Sequence, residues 1–297
     1  MDWKSPQIDA LLRQALIEDQ AANDVTTRLT VAPDLLATAT ILARQDLIVA
    51  GLGAVPRFFE IFARLDERPL PQAPYEIVIS PGIEDGVRAQ DGQVLATIRH
   101  NAQTLLSCER VILNLMQHLS GIAIATRRYV DAIEGTGARV LDTRKTLPGM
   151  RILEKYAVAC GGGTNHRLDL ATGILIKNNH ISLGGGVRRA ITSALASRPG
   201  SLRVQVEVRS REELEEALAA GAESVLLDNM SPEKVKWCVE RIRREGARQI
   251  PIEASGGIVL GNIRAYAEAG VDFISAGALT HSAPAADISM RIAADRN

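Results

Sequence analysis

Residues 139–177 read RVLDTRKTLPGMRILEKYAVACGGGTNHRLDLATGILIK. A short apolar run, Val140 and Leu141, ends at Asp142, and a basic turn follows at Thr143, Arg144 and Lys145. Thr146 and Pro148 are start signals for a helix over 147–160, in which Leu153, Tyr156, Ala157 and Cys160 recur at helical spacing. Gly161 to Gly163 stop that helix, His166 and Arg167 come next, and the run GILIK ends on Lys177. Two strand ends therefore carry four cations (Arg144, Lys145, Arg167, Lys177) and a histidine. That layout suits a ligand with several negative charges.

Towards the C-terminus the alternation continues: a helix over 187–197, LRVQVEV, a helix over 211–220, ESVLLD, a helix over 232–245, PIEASGG, a helix over 262–269, and DFISAG. Ser210 with Glu213 reads as a capping box, and Ser231 followed by Pro232 as a second helix start. Strand–helix alternation predicts an α/β architecture with parallel crossovers and about six strands. An open doubly wound sheet and a barrel both fit this order, and the polar residues favour the barrel. In VQVEV the valines share one face while Gln205 and Glu207 share the other. Lys177, Asp228, Glu253 and Ser255 likewise fall on one face or at the C-terminal end of their runs, where barrel proteins place their sites. Buried charges are costly unless paired or liganded, so this set points to function more than to structure. Glycines follow the last two runs, at Ser255-Gly256-Gly257 and Gly277-Ala278, as in barrels that hold a phosphate on backbone amides there.

Towards the N-terminus, residues 101–134 read as one long helix or two, with Leu105, Cys108, Ile112, Leu115 and Leu119 as its stripe and Arg110 on another face. Before it, residues 37–97 are a mixed region of short β-rich runs with a helix over 55–65 and turns such as LDERPLPQAP. Residues 5–19 form an amphipathic helix, and EDQAANDVTTRLTV is expected to be a polar turn leading into a strand. The charged N-terminus has no apolar core of a signal peptide, and no window reaches the roughly 18 apolar residues a membrane span needs.

The chain's 297 residues suffice for one large domain or two modest ones, and 46% apolar with 23% charged residues is ordinary for a globular protein. A net charge of -1 argues against nucleic-acid binding, so any cationic site is local. Three cysteines without CxxC spacing indicate a reduced, cytoplasmic chain with neither disulfide framework nor zinc site.

The segments DTRKTLPGMRILEKYAVACGGGTNHR, LIKNNH, VEV, LLDNM, EASGGI and SAGALTHS, with the early EDQAANDVTT, resemble the quinolinate phosphoribosyltransferase family, also called carboxylating nicotinate-nucleotide pyrophosphorylase. The resemblance spans nearly the whole chain. It implies transfer of phosphoribose from phosphoribosyl pyrophosphate to quinolinate, giving nicotinate mononucleotide, pyrophosphate and carbon dioxide on the de novo route to NAD. It implies an N-terminal α+β sandwich domain over 1–115, an incomplete, about six-stranded α/β barrel over 116–280, and a C-terminal helix over 281–297 packing back on the first domain. By motif position, Arg144, Arg167 and Lys177 would hold the quinolinate carboxylates with His166 near them. Arg110 from a neighbouring subunit would complete that pocket. Thr143, in the same turn, would also bind substrate, and Lys145 would reach the phosphoribosyl pyrophosphate. Glu207 and Asp228 would face the ribose hydroxyls and Mg2+, with Lys145, Lys177, Glu207 and Asp228 as the catalytic set. Ser255, Gly256, Gly257, Gly277, Ala278 and Leu279 would cradle the 5′-phosphate. The family forms homodimers, with hexamers in some members.

One departure stands out. The family usually has aspartate where this chain has Asn178, which keeps an acceptor but drops a charge, so neither metal nor substrate contact is assigned to it. Two rivals are a paralogous protein associated with molybdenum transport, which shares the TRKT turn, and a non-catalytic sugar-phosphate-binding barrel. Lys177, Asn179 and His180 speak against the first, and Glu207 with Asp228 would be unnecessary in the second.

Overall fold

In the computed structural model, which describes residues 1–66, 75–244 and 250–295, the chain divides into two units. The first comprises Met1–Ala125, Pro148–Gly162 and Ala283–Asn297, and the second Thr126–Leu147 and Gly163–Ser282. The turn LDERPLPQAP lies almost wholly outside the described residues.

In the first unit the amphipathic helix Pro6–Glu18 buries Ile8, Leu12 and Leu16, and the helix Val55–Leu65 buries Phe58, Phe59 and Phe62. The strands are β1 (Leu36–Ala43), β2 (Leu47–Ile48), β3 (Glu76–Ile79), β4 (Arg88–Ala89) and β5 (Val94–Asn101). β1 alternates half-buried and buried positions along its whole length, the period of a strand with one face on a core. It pairs antiparallel with β5 on one side and with a C-terminal strand, Ile288–Ala294, on the other, while β3 covers the far edge of β5. The expected C-terminal helix is therefore a strand, with Ala37 opposite Ala294 and Ala43 opposite Ile288. It does return to the first unit. The expected turn at EDQAANDVTT instead contains a helix, Val25–Thr30, because the Asp24 carboxylate caps it by accepting the Thr27 amide at 3.0 Å.

Residues 101–134 form one helix, Ala102–Ala132, and the boundary between units falls inside it at Ala125–Thr126, not at 115. The helix expected over 147–160 starts at Arg151 and belongs, with its flanks, to the first unit. So the linear division of the sequence gives way to one in which the chain leaves the second unit at Pro148 and re-enters it at Gly163.

The second unit is built on β6 (Arg139–Leu141), β7 (Ile174–Ile176), β8 (Val204–Val208), β9 (Ser224–Asp228), β10 (Ile252–Ser255) and β11 (Phe273–Ser275). All pair in parallel in the order β6-β11-β10-β9-β8-β7. Consecutive strands from β7 to β11 are neighbours, and β11 returns to β6. A single parallel bridge from Leu141 to Thr164 extends the ring beyond β6. The sheet is open between that bridge and β7, which makes it the incomplete barrel expected. Its faces divide as the sequence pattern predicts: Val204, Val206 and Val208 are fully buried, whereas Gln205 on β8 reaches Glu253 on β10 across the intervening β9. Side chains from strands two apart meet only on a concave face.

Candidate active site

The C-terminal ends of these strands line a cleft of about 580 Å³. Its cationic side is laid down by two short segments. After β6, the Thr143 hydroxyl accepts the Lys145 amide at 3.0 Å, which tightens the basic turn, and the Thr280 hydroxyl donates to the Lys145 carbonyl at 2.7 Å. After the Thr164 bridge, fully buried Asp142 accepts the His166 amide at 2.8 Å and the Asn165 side-chain amide at 2.6 Å. Asp142 thus fastens the second cationic segment to the end of β6. Burial, and then the nearby charge of Arg144, holds the Arg167 guanidinium below its ordinary range. Two guanidiniums kept together at such expense are arranged for an anion.

Lys177 closes β7 and caps the short helix Asn178–Gly184, where its backbone amide donates to His180 Nδ1 at 2.9 Å. Glu207 on β8 and Asp228 at the end of β9 line the same cleft. Burial raises the Glu207 carboxyl, and Asp228 raises it further; Lys177 and the Asn178 amide pull the other way. Two carboxylates that repel each other at one rim offer oxygen ligands to a cation or acceptors to hydroxyls.

The glycine turns complete the cleft. Gly256 and Gly257 have φ of +88° and +61°, in the left-handed region that favours glycine. A Cβ on Gly256 would fall on the Asn229 side chain and 2.8 Å from the Asn229 amide nitrogen, whereas one on Gly257 would meet nothing within 4 Å. Gly257 therefore leaves its backbone open to a ligand. A Cβ on Gly277 would sit 3.0 Å from both the Lys145 Cδ and the His281 Nε2, so glycine there lets those two side chains converge.

Of the residues singled out in the sequence, Thr143, Arg144, Lys145, His166, Arg167 and Lys177 line this one cleft. So do Glu207, Asp228, Ser255, Gly256, Gly257, Gly277 and Ala278. Leu279 does not: it is fully buried. Arg110 belongs to the first unit, exposed on its helix, while the cleft lining comes from the second unit alone. The sequence reading missed Asn229, Ser275 and the apolar liners Leu175 and Leu226. Asn229, with φ +52°, carried one signal: Asp-Asn directly after a strand run favours a left-handed turn. Glu253 and His281 also line the cleft, and no group of three or more His, Cys, Asp or Glu able to hold a metal occurs among the described residues.

Fold and cleft together define an α/β-barrel protein that gathers guanidinium, ammonium and carboxylate groups at its strand ends, a lining suited to an anionic ligand. The family described as quinolinate phosphoribosyl transferase, N-terminal domain, matches residues 24–120, and its C-terminal-domain counterpart matches residues 122–291. The nicotinate-nucleotide pyrophosphorylase [carboxylating] of Mycobacterium leprae is 42% identical over 280 residues, covering 94% of this chain and 95% of that protein. The crystal structure of NadC from Streptococcus pyogenes superimposes with a TM-score of 0.90 at 37% identity over 100% of both chains. That of the nicotinate-nucleotide pyrophosphorylase from Francisella tularensis gives 0.85 at 36% identity, covering 98% of each. The chain belongs to the quinolinate phosphoribosyltransferase family.

Proposed function

We infer that the protein transfers phosphoribose from phosphoribosyl pyrophosphate to quinolinate with decarboxylation, giving nicotinate mononucleotide, pyrophosphate and carbon dioxide in de novo NAD biosynthesis. The observation that carries this reading is the convergence of Arg144, Arg167 and Lys177 with Glu207 and Asp228 on one cleft. Quinolinate is a dianion, and guanidinium forks match carboxylates bidentately. Arg144, Arg167 and Lys177 hold its two carboxylates, with His166 beside them, and Arg110 of a second copy completes the pocket in a homodimer. Gly256, Gly257, Gly277 and Ala278, with the Ser255 hydroxyl, cradle the 5′-phosphate on backbone amides. Lys145 neutralises the pyrophosphate.

Breaking the bond to pyrophosphate leaves positive charge on the ribose ring, which the carboxylates of Glu207 and Asp228 stabilise, besides accepting from its hydroxyls. The same pair fits Mg2+: Asp228 already raises the Glu207 carboxyl, and magnesium is commonly bound through one or two carboxylates plus phosphate oxygens. Bound there, it would neutralise charge on the departing pyrophosphate. Loss of carbon dioxide leaves an electron pair on the ring carbon beside nitrogen, and a proton from water then completes the C–H bond there. A nitrogen already quaternised by ribose tolerates that pair, so transfer precedes decarboxylation. The unpaired cysteines Cys108, Cys160 and Cys238 support a cytoplasmic setting, and no described helix is long and apolar enough to cross a membrane.

Purified protein supplied with quinolinate, phosphoribosyl pyrophosphate and magnesium is expected to form nicotinate mononucleotide. A rapid-quench time course is expected to trap a carboxylated mononucleotide first. Free nicotinate appearing before any mononucleotide would overturn the order, and absence of mononucleotide would overturn the reading.

A further inference from the structure

Glu253 sits inside the barrel on β10, in register with Leu226 of β9 and Phe273 of β11, and is 3% exposed. None of the roles above uses it. A carboxyl this deep is costly without hydrogen bonds; Oε1 is buried without a hydrogen-bond partner, so the partners of Oε2 define its purpose. Its Oε2 accepts the Gln205 side-chain amide at 2.8 Å and faces His166 Nε2 at 3.3 Å.

The other ring nitrogen of His166 decides what passes between them. His166 Nδ1 accepts the backbone amide of Arg167 at 2.7 Å. A nitrogen that accepts an N–H carries no proton of its own, so the proton of the neutral ring is on Nε2, pointing at Glu253. The imidazole is thereby a strut: one end rests on the buried Glu253 carboxyl, the other holds the backbone from which Arg167 projects. Asp142 secures the same segment through the His166 amide at 2.8 Å, and Arg167 Nη1 donates to the Gly173 carbonyl at 2.7 Å. Were Nδ1 to take up a proton, the bond to the Arg167 amide would break.

We propose that Glu253 is a positioning residue: it fixes His166 as the Nε2–H imidazole and, through that ring, fixes the backbone that aims Arg167 at the anionic ligand. His166 is then a structural support and takes no part in proton transfer. The kinetic part of this inference rests on the quinolinate reading above, whereas the tautomer does not.

The test uses the full-length protein labelled with nitrogen-15 at its five histidines, with the His166 signals identified by their loss in His166→Gln. Wild-type His166 is expected to show the shift pattern of a neutral ring protonated at Nε2. Glu253→Gln keeps an acceptor oxygen and is expected to keep that pattern, while Glu253→Ala is expected to lose it. In parallel, Glu253→Ala is expected to raise the KM for quinolinate by about tenfold to a hundredfold, the scale of a small misplacement of a binding group. The KM for phosphoribosyl pyrophosphate should stay within about twofold and Glu253→Gln should recover most of the loss, which a general loss of packing does not predict. Wild-type His166 protonated at Nδ1, or doubly protonated, overturns the proposal even if Glu253→Ala fails to fold. An unchanged tautomer in a folded Glu253→Ala also overturns it. A protein with the expected tautomers but no turnover of quinolinate would leave the strut standing and sink the enzymatic reading alone.

Discussion

Lys177 is exposed at the mouth of the cleft and anchors no core, so its side chain can be removed without disturbing the barrel. Lys177→Ala is expected to lower kcat by about a hundredfold to a thousandfold, the range for removing a preorganised electrostatic donor, with an unchanged melting temperature. An unchanged kcat would remove it from the machinery. Arg167→Lys keeps the charge but not the fork, and is expected to raise the KM for quinolinate by about tenfold or more, equivalent to about 1.4 kcal/mol. At Gly256 an added Cβ would collide with Asn229 in a left-handed backbone. Gly256→Ala is therefore expected to weaken phosphoribosyl pyrophosphate binding and to lower stability by about 1–3 kcal/mol, checked by denaturant midpoints. At this scale the sequence was most legible for the charged residues near strand ends: Arg144, Arg167, Lys177, Glu207 and Asp228 all line the one cleft. Asn229 escaped because asparagine costs little at an exposed turn, and Ser275 because an uncharged serine ending a short strand run raises no electrostatic question. Leu279, placed by its motif, is buried and lies outside the cleft lining.

Elements were readable wherever one period dominated. The helices Pro6–Glu18, Val55–Leu65 and Val187–Ser197 and the strand runs β8 and β9 all fall where the pattern puts them. The helix Asn178–Gly184 was missed, since two asparagines and a run of glycines are poor helix signals. The C-terminal strand was missed although Ile288, Met290 and Ile292 alternate, because the family expectation overrode a period written in the residues. Two element-level tests follow from the first unit. His100 stacks on Tyr75 at 5.2 Å and lies 5.3 Å from Phe59, and burial lowers it to about 4 from 6.5. Above pH 6.5 both folded and unfolded chains hold it neutral. As pH falls from 6.5 towards 4 the unfolded chain binds a proton that the folded one refuses, so stability is lost across that window. The fall in melting temperature there is expected to be shallower in His100→Gln, and parallel curves would contradict the assignment. Gly121, inside the helix Ala102–Ala132, faces Pro284 and Ala285, and a Cβ there would run into the Pro284 carbonyl and come within 3.0 Å of Ala285 Cα. Alanine ordinarily gains a helix about 1 kcal/mol over glycine, but a backbone collision costs about 1–3 kcal/mol or more, so Gly121→Ala is expected to destabilise.

For the whole molecule, the sequence revealed two units but not how the chain shares itself between them. No breaker marks the boundary inside the helix Ala102–Ala132, and nothing local signals that residues 148–162 leave the barrel unit. Assembly is testable at the same scale. If Arg110 serves a neighbour's cleft, Arg110→Ala and Lys177→Ala are each impaired alone, yet random mixing of their subunits restores about a quarter of the sites, since half the dimers are mixed and each has one intact site. No recovery on mixing would place Arg110 outside the partner's site. The central claim, that one cluster of cations reads two carboxylates before one of them is lost, is tested most directly with quinolinate carrying labelled carbon in its 2-carboxylate. The account predicts one labelled carbon dioxide per nicotinate mononucleotide, and turnover of nicotinate as acceptor at less than about a hundredth of that rate, a discrimination of about 2.7 kcal/mol. Equal use of nicotinate, or mononucleotide formed without release of the label, would contradict it.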